Sequence, residues 1–257
     1  MKVARARRLD MLRHIGAGMA SAEALAEQLG ISLSTVRRDL AVLAREGALL
    51  RTYGGAALPG PVQPEQPLTE RLGERNAQKN AIAALAADHV LDGQTVILDA
   101  GSTVGALANR LRDRKDLRVV TSGLTSLQAL SGLDRIDLVS LGGTLRPISL
   151  GFTGPLAEQA MRRITADSAF LGADGVVAGR GLCEASAEQT SLKELMTAQA
   201  ETIYVLATSD KLGKAASRAW APLDRPWTLV TDADASEAQL EPFRRLGTVT
   251  ILIASGA

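Results

Sequence analysis

Between Gln94 and Ala254 the chain repeats one pattern. "QTVILDAG", "LRVVTSG", "IDLVSLGG", "SAFLGADG", "ETIYVLATS", "WTLVTDA" and "TVTILIA" are short apolar runs rich in β-branched residues, most ending at Gly, Ser, Thr or Asp. The helical stretches "TVGALANRLRD" and "LTSLQALSG" fall between several of them, and "QKNAIAALAADHVL" comes before. Such alternation predicts an α/β domain on a mainly parallel sheet, a fold whose ligands bind beyond the carboxyl ends of the strands. Chemistry is therefore sought where these runs stop.

The first 58 residues follow a different period. Leu9, Leu12 and Ile15 form one stripe, Ala22, Leu25 and Leu29 a second, and Val36, Leu40 and Leu43 a third, each at spacings of three or four. Three short amphipathic helices of this kind close one small core. Ser21 is placed to cap the second helix, Gly30 to end it in a tight turn, and Ser32 to cap the third. With Val36, Leu40 and Leu43 inward, Ser34, Thr35, Arg37 and Arg38 are left towards solvent at the start of the third helix, where the dipole also favours an anion. Arginine forks suit guanine edges or phosphates, and hydroxyls suit phosphate or base contacts. The following "LLRTYGGAAL" reads as a hairpin carrying Arg51 and Tyr53. The whole is a winged helix-turn-helix pattern with the helix-turn-helix at about residues 20–39, although charge alone leaves open a solvated face on an ordinary three-helix domain.

Charge is uneven along the chain. The net charge is +1, but residues 1–58 hold nine Lys/Arg against five Asp/Glu, a local +4, which leaves 1 − 4 = −3 for the remainder. The single Cys183 excludes a disulfide framework within the chain and is read as buried filler; His14 and His89 lie too far apart to suggest a zinc site. No signal peptide or membrane span is recognisable, so a cytoplasmic protein without membrane association is expected. Between the two patterns, "ALPGPVQPEQPLTE" carries Pro59, Pro61, Pro64 and Pro67, which remove backbone donors and favour extended chain. The expected organisation is a DNA-binding domain over 1–58, a proline-rich linker over 59–72 and an α/β domain over 73–257.

"LDAGSTVGAL" places a small polar loop between a strand and a helix, so amides at Gly101, Ser102 and Thr103 can converge on an anion; an ordinary capped turn explains the loop equally well. It is neither a Walker loop nor a dinucleotide fingerprint, so ATP and NAD are not expected. The other strand ends supply Thr121, Ser122 and Gly123; Gly142 and Gly143 with Arg146; Asp174; and Lys211 in "ATSDKLGK". Each alone reads as a turn or surface residue, whereas together they provide the amides, hydroxyls, carboxylate and cations that a phosphorylated polyol requires.

Ile31 to Ala56 resembles the signature of DeoR/GlpR-family bacterial repressors through Ser32, Thr35, Val36, Arg37, Arg38, Asp39, Leu40, Leu43, Gly47, Leu49, Arg51 and Gly54-Gly55-Ala56. Tyr53 stands where that family usually has His. "DAGST", "VVTSGL", "LGGTLRPISLGFTGPLAE", "ADSAFLGADGV" and "GRGL" resemble its sensor domain, which is similar in fold to ribose-5-phosphate isomerase. The resemblance supports operator contacts from Ser32, Thr35, Arg37, Arg38 and Arg51, to which the exposed face of the third helix and the hairpin add Ser34 and Tyr53. It implies a sugar-phosphate pocket framed by Asp99, Gly101, Ser102 and Thr103, with Thr121, Ser122, Gly142, Gly143, Asp174 and Lys211 around it. It also implies a double-stranded DNA operator, a homo-oligomer (dimer or tetramer), and repression of a carbohydrate-catabolism operon relieved by a phosphorylated sugar or polyol. "TSDKLG" departs from the family's "DSSKFG" at Thr208 and Asp210.

The rival reading is a sugar-phosphate isomerase, since a fold does not decide a function. Those isomerases use a "DGADE" stretch whose carboxylates handle the substrate proton. Here Leu171-Gly172-Ala173-Asp174-Gly175 retains one acid of the three, so the expectation is binding without turnover and no catalytic residue.

Overall fold

The computed structural model describes residues 2–16, 21–45, 48–52, 55–57 and 65–255. The amino-terminal unit consists of α1 (Lys2–Gly16), α2 (Ala22–Leu29), α3 (Leu33–Arg45) and an antiparallel pair, β1 (Leu50–Thr52) with β2 (Gly55–Ala57). The caps are those the sequence predicts. Ser21 Oγ accepts the Ala24 N–H at 3.1 Å, Gly30 leaves α2 at φ 62°, and Ser32 Oγ accepts the Thr35 N–H at 3.2 Å. Met11, Ile15, Leu25, Val36, Leu40, Leu43, Leu49 and Ala56 form the core.

The remaining elements are α4 (Leu68–Gly73), α5 (Asn76–Ala87), β3 (Thr95–Leu98), α6 (Ser102–Arg110), β4 (Leu117–Thr121), α7 (Leu124–Leu130), β5 (Ile136–Ser140), β6 (Thr144–Arg146), β7 (Gly151–Thr153), α8 (Pro155–Met161), β8 (Ala166–Leu171), β9 (Gly175–Val177), β10 (Gly181–Glu184), α9 (Ala187–Gln199), β11 (Ala200–Leu206), β12 (Ala219–Ala221), β13 (Trp227–Asp232), α10 (Glu237–Arg244) and β14 (Val249–Ala254). The seven apolar runs become one seven-stranded sheet in the order β14-β13-β11-β8-β3-β4-β5, every pairing parallel. Both faces are covered, which is why the strands read as apolar runs rather than as an apolar and polar alternation. Ile97, Val120, Ala169, Val205 and Leu229 pack with Met161, Met196 and Phe243 of α8, α9 and α10. Their neighbours Val96, Leu98, Val119, Phe170, Leu206 and Val230 pack with Ile82, Leu107 and Leu130 of α5, α6 and α7. No helix among the described residues is long and apolar enough to cross a membrane.

The chain moves outward from β3 through β4 and β5, then returns to the other side of β3 as β8 and moves outward again. The order of strands therefore reverses between β3 and β8, and their carboxyl ends diverge into a crevice at that point. Two smaller antiparallel pieces, the β6–β7 hairpin and the sheet β12-β10-β9, were not foreseen from the sequence. Their strands are only three or four residues long, too short to show a period.

Of the proline-rich stretch, residues 59–64, with Pro59, Pro61 and Pro64, lie outside the described residues. The part from Glu65 on is not free extended chain: Leu68 is buried, its N–H donates to Ile148 O at 2.7 Å, and it opens α4.

A second departure lies in α1. Leu9, expected inward, is 56% exposed, whereas Met11 is fully buried beside Ile15. The helix turns the side bearing Arg7 and Arg8 towards α3, where both guanidinium groups pair with buried Asp39, at 2.6 and 2.9 Å. Asp39 thus fixes α1 to the helix that carries the exposed arginines. Asp39→Ala is expected to destabilise this unit by about 1–2 kcal/mol, a modest figure because the freed arginines can turn into water. Faster hydrogen exchange in α3 of the full-length chain, with that of the parallel sheet unchanged, would register the loss.

Candidate effector cavity and nucleic-acid face

The crevice between β3 and β8 opens into a cleft of about 580 Å³, part of it solvent. Asp99 follows β3 and Gly172 follows β8, and the Asp99 carboxylate accepts the Gly172 N–H at 3.1 Å, closing the floor where the strands separate. After Asp99 the chain passes Gly101 at φ 150° and enters α6 with no side-chain cap. The amides that begin a helix have no intrahelical acceptor, so Gly101, Ser102 and Thr103 present N–H groups and two hydroxyls at the cavity wall.

Opposite them, α9 contributes Lys193, which sequence reasoning missed. Its ammonium is buried and reaches the Asp99 carboxylate, Gly172 O at 2.9 Å and Glu184 Oε1 at 3.2 Å. Glu184, at the end of β10, also accepts from Gln189 Nε2 at 3.2 Å through its other oxygen. Gln189 is itself held by the capping box that starts α9 with Ser186. Burial pushes the Glu184 carboxyl up from 4.5 to about 8, against the pull of Lys193. Burial works to lower the Lys193 ammonium, but Asp99 and Glu184 outweigh it and hold its pKa above the ordinary lysine value. Burial also pulls Lys211 down, against Asp174, while its ammonium donates to Ala173 O at 2.6 Å. The wall carries the cations Arg71, Lys193 and Lys211 and the carboxyls Asp99, Asp174 and Glu184. With the Glu184 proton retained at neutral pH, one positive charge is in excess.

Of the residues singled out in the sequence, Asp99, Gly101, Ser102, Thr103, Ser122, Asp174 and Lys211 line this cavity together. Thr121, Gly142, Gly143 and Arg146 are not on its wall. Thr121 is fully buried, its hydroxyl donating to Leu98 O at 2.7 Å and accepting from Gly123 N–H. Gly142 and Gly143 make the turn into β6 at φ 66° and 104°, and a Cβ on Gly143 would lie 2.5 Å from Thr153 O. Arg146 is occupied by Glu65, at 2.7 and 3.2 Å, and by Ser149 at 2.8 Å. Of the two unusual residues in "TSDKLG", Thr208 is buried and Asp210 lies 3.3 Å from Arg75, in the outer cleft rather than the cavity. Besides Lys193, sequence reasoning missed Glu184 and Arg71. The one available signal was a lysine on the apolar side of a helix, between Leu192 and Met196.

On the amino-terminal unit, Ser32, Ser34, Arg37 and Arg38 are exposed and Thr35 half-exposed at the start of α3. The three hydroxyls cluster: Ser32 Oγ is 3.0 Å from Ser34 Oγ and 2.8 Å from Thr35 Oγ1. Arg37 makes a loose, exposed pair with Glu23 at 3.5 Å. Arg51 is on β1 but its side chain lies outside the described residues, as do Tyr53, Gly54 and Gly47.

A helix-turn-helix with exposed arginines, joined to a doubly covered parallel sheet with a cavity at its switch point, is the layout of a ligand-responsive transcriptional regulator. The model for the DeoR C terminal sensor domain matches residues 74–233, and that for the DeoR-like helix-turn-helix domain matches residues 9–61. The chain belongs to the DeoR family of transcriptional regulators. It is 34% identical to the transcriptional repressor AccR of Agrobacterium fabrum, over 81% of both chains. It is 30% identical to a putative aga operon transcriptional repressor of Escherichia coli, over 87% of this chain and 84% of that one. A solved D-ribose-5-phosphate isomerase in complex with phospho-erythronic acid aligns with 55% of this chain and 53% of its own at 19% identity and a TM-score of 0.39. The relatives' naming as regulators points to a regulator and not an enzyme.

The raised Glu184 pKa has a consequence for stability. A carboxyl protonated in the folded state up to about 8, and released near 4.5 when unfolded, gives the folded chain more bound protons between those values. Stability contributed by this site must therefore fall as pH rises through that window, by at most about 1.4 kcal/mol per pH unit. Glu184→Gln keeps the shape and removes the proton, so urea unfolding of this variant between pH 5 and 8 should show a flatter pH dependence than wild type. Equal slopes would place the Glu184 titration elsewhere.

Proposed function

We propose that the protein represses a carbohydrate-catabolism operon and leaves its operator when a phosphorylated sugar or polyol enters the switch-point cavity. The observation that carries the reading is the convergence, in one cavity, of the uncapped start of α6 with Lys211 and the Asp99–Lys193–Glu184 cluster. A phosphoryl group fits the Gly101, Ser102 and Thr103 amides, with Lys211 as its counter-cation. The carboxyls of Asp99, Asp174 and Glu184 then serve sugar hydroxyls, and Ser122 offers a further hydroxyl on the same wall. We assign Thr121, Gly142, Gly143 and Arg146 to holding the strand ends that shape this wall.

Operator contact is assigned to α3, laid in the major groove with Arg37 and Arg38 towards base edges or phosphates and Ser32, Ser34 and Thr35 towards the backbone. Arg51 and Tyr53 of the wing extend along the neighbouring phosphates. Two such units are needed to read a two-fold or repeated operator, so a dimer or tetramer is proposed, assembled through the α/β domains. Effector binding needs only a preference for one of two assembly geometries to shift the population off DNA.

The operator can be selected from a random duplex pool with the full-length protein and then footprinted. Arg37→Ala or Arg38→Ala should weaken its binding by about 1–3 kcal/mol for a base-reading side chain. Footprints of both variants that match wild type would sink the assignment of α3. Lys211→Ala should leave operator affinity intact and weaken release by the phosphorylated sugar, through loss of a charge-assisted contact of about 1.5–3 kcal/mol. Release at the wild-type concentration of ribose 5-phosphate or glucosamine 6-phosphate, whichever displaces DNA from wild type, would put the phosphate elsewhere.

A further inference from the structure

Among the described residues, Arg71 is the cation of the cavity wall whose side chain donates no hydrogen bond. Lys193 is saturated by Asp99, Gly172 and Glu184, and Lys211 donates to Ala173. The Arg71 side chain is only 15% exposed, and its Nε is buried with no hydrogen-bond partner. The nearest carboxylates, Glu65 and Asp174, each stand 3.9 Å away, beyond hydrogen-bond reach. Glu65 is already engaged by the fork of Arg146. A guanidinium carries five N–H donors in one plane, and leaving them unmet away from water is costly.

Its surroundings point the same way. Arg71, Asp174 and Lys211 line both the inner cavity and the wider cleft outside it, so Arg71 stands at the neck between them. Behind it, the buried Lys79 ammonium donates to Arg71 O. Burial, helped by the charges of Lys211 and Arg71 and opposed by Glu74 and Asp210, lowers the Lys79 pKa to about 8. Three cations thus crowd one place, and the carboxylates nearest to Arg71, those of Glu65 and Asp174, approach it only to 3.9 Å.

The position of Arg71 in the chain gives this vacancy a consequence. It lies on α4, the first helix after the 58–64 stretch, and α4 is seated on the α/β domain by buried Leu68 and the Leu68 N–H to Ile148 O bond. Ten residues separate the end of β2 at Ala57 from the start of α4 at Leu68, a tether of at most about 40 Å. Where α4 sits therefore bounds where the helix-turn-helix can sit.

We infer that Arg71 clamps the effector's phosphoryl group from the α4 side, and that this contact couples occupancy of the cavity to the segment leading into the DNA-binding unit. The inference rests on the phosphorylated-ligand reading above. Two phosphoryl oxygens match the planar fork, satisfy Nε and compensate Lys79 and Lys211 together. The anion then bridges α6, which follows β3, and α4, at which the tether ends. Arg71 is thus a ligand-contacting residue that is also the first link towards DNA.

The test uses full-length wild type, Arg71→Lys and Arg71→Gln, titrated calorimetrically with ribose 5-phosphate, glucosamine 6-phosphate and inorganic phosphate. Hydrogen exchange over residues 65–76 and 101–105 is read at saturation with whichever binds. Wild type should show protection of both segments. Both variants should bind at least about tenfold more weakly, because lysine keeps the charge and loses the fork. At saturation they should still protect 101–105 while protection of 65–76 is lost. Should Arg71→Gln fail to fold, Arg71→Lys decides alone. Equal affinity and equal protection of 65–76 in the variants would overturn the inference while leaving the phosphate reading intact. Failure of all three probes to bind wild type would overturn that reading, and the inference with it.

Discussion

The buried contact of Lys193 with Asp99 and Glu184 holds the carboxyl ends of separate elements in register. Asp99 terminates β3, Glu184 terminates β10, Lys193 comes from α9, and Gly172, which receives both an Asp99 acceptor and a Lys193 donor, follows β8. A parallel sheet whose order reverses at one point leaves its strand ends splayed there, with carbonyls and amides that the ladder no longer pairs. The ammonium supplies donors where those ends need them, and the Asp99 carboxylate keeps it charged inside the protein. An apolar substitute of the same volume would fill the space yet leave Gly172 O without its Lys193 donor and the Asp99 carboxylate without its counter-charge. The cluster thereby forms the polar floor of the cavity.

That arrangement also explains what the sequence made legible. The seven strands and the helices at "TVGALANRLRD" and "LTSLQALSG" could be read because the strands are apolar runs of four to seven residues, buried on both faces at the centre of the sheet and less so at its edges β5 and β14. The helix caps Ser21, Gly30 and Ser32 were legible because capping chemistry is local. Asp99, Gly101, Ser102, Thr103, Ser122, Asp174 and Lys211 were found by the rule that polar groups at strand ends face the crevice. The same rule overreached at Arg146 and Thr121, which sit at strand ends and spend their side chains on Glu65 and Leu98 O.

What stayed hidden was every contact between distant stretches. Lys193 and Asp99 are 94 residues apart, and a lysine in the middle of a helix reads as a solvated side chain until the opposing acids are placed. Glu184 ends a four-residue strand and gives no period. Asp39 stands in the sequence only as part of the repressor signature, and its two arginine partners on α1 turn that side of the helix inward and Leu9 outward. Arg71 lay inside a stretch that proline content marks as linker. Composition is averaged over a window, and an α-helix of six residues at its edge vanishes in that average.

The two ends of the molecule are linked by the same economy of charge. Arg7 and Arg8 belong to the basic excess of the first 58 residues, yet Asp39 draws them into structure, so the cations left to meet an anionic groove are concentrated at α3. In the α/β domain Asp99 and Glu184 consume Lys193, and Glu65 consumes Arg146, which leaves Arg71 and Lys211 as the cations with capacity for a ligand. In both units, then, the number of basic residues says little about where an anion binds. Pairing bears on it more: Arg37 on α3 makes only a loose, exposed pair with Glu23, and Arg71 at the neck of the cavity stands 3.9 Å from Glu65 and Asp174, so both keep donors that a close carboxylate would have taken.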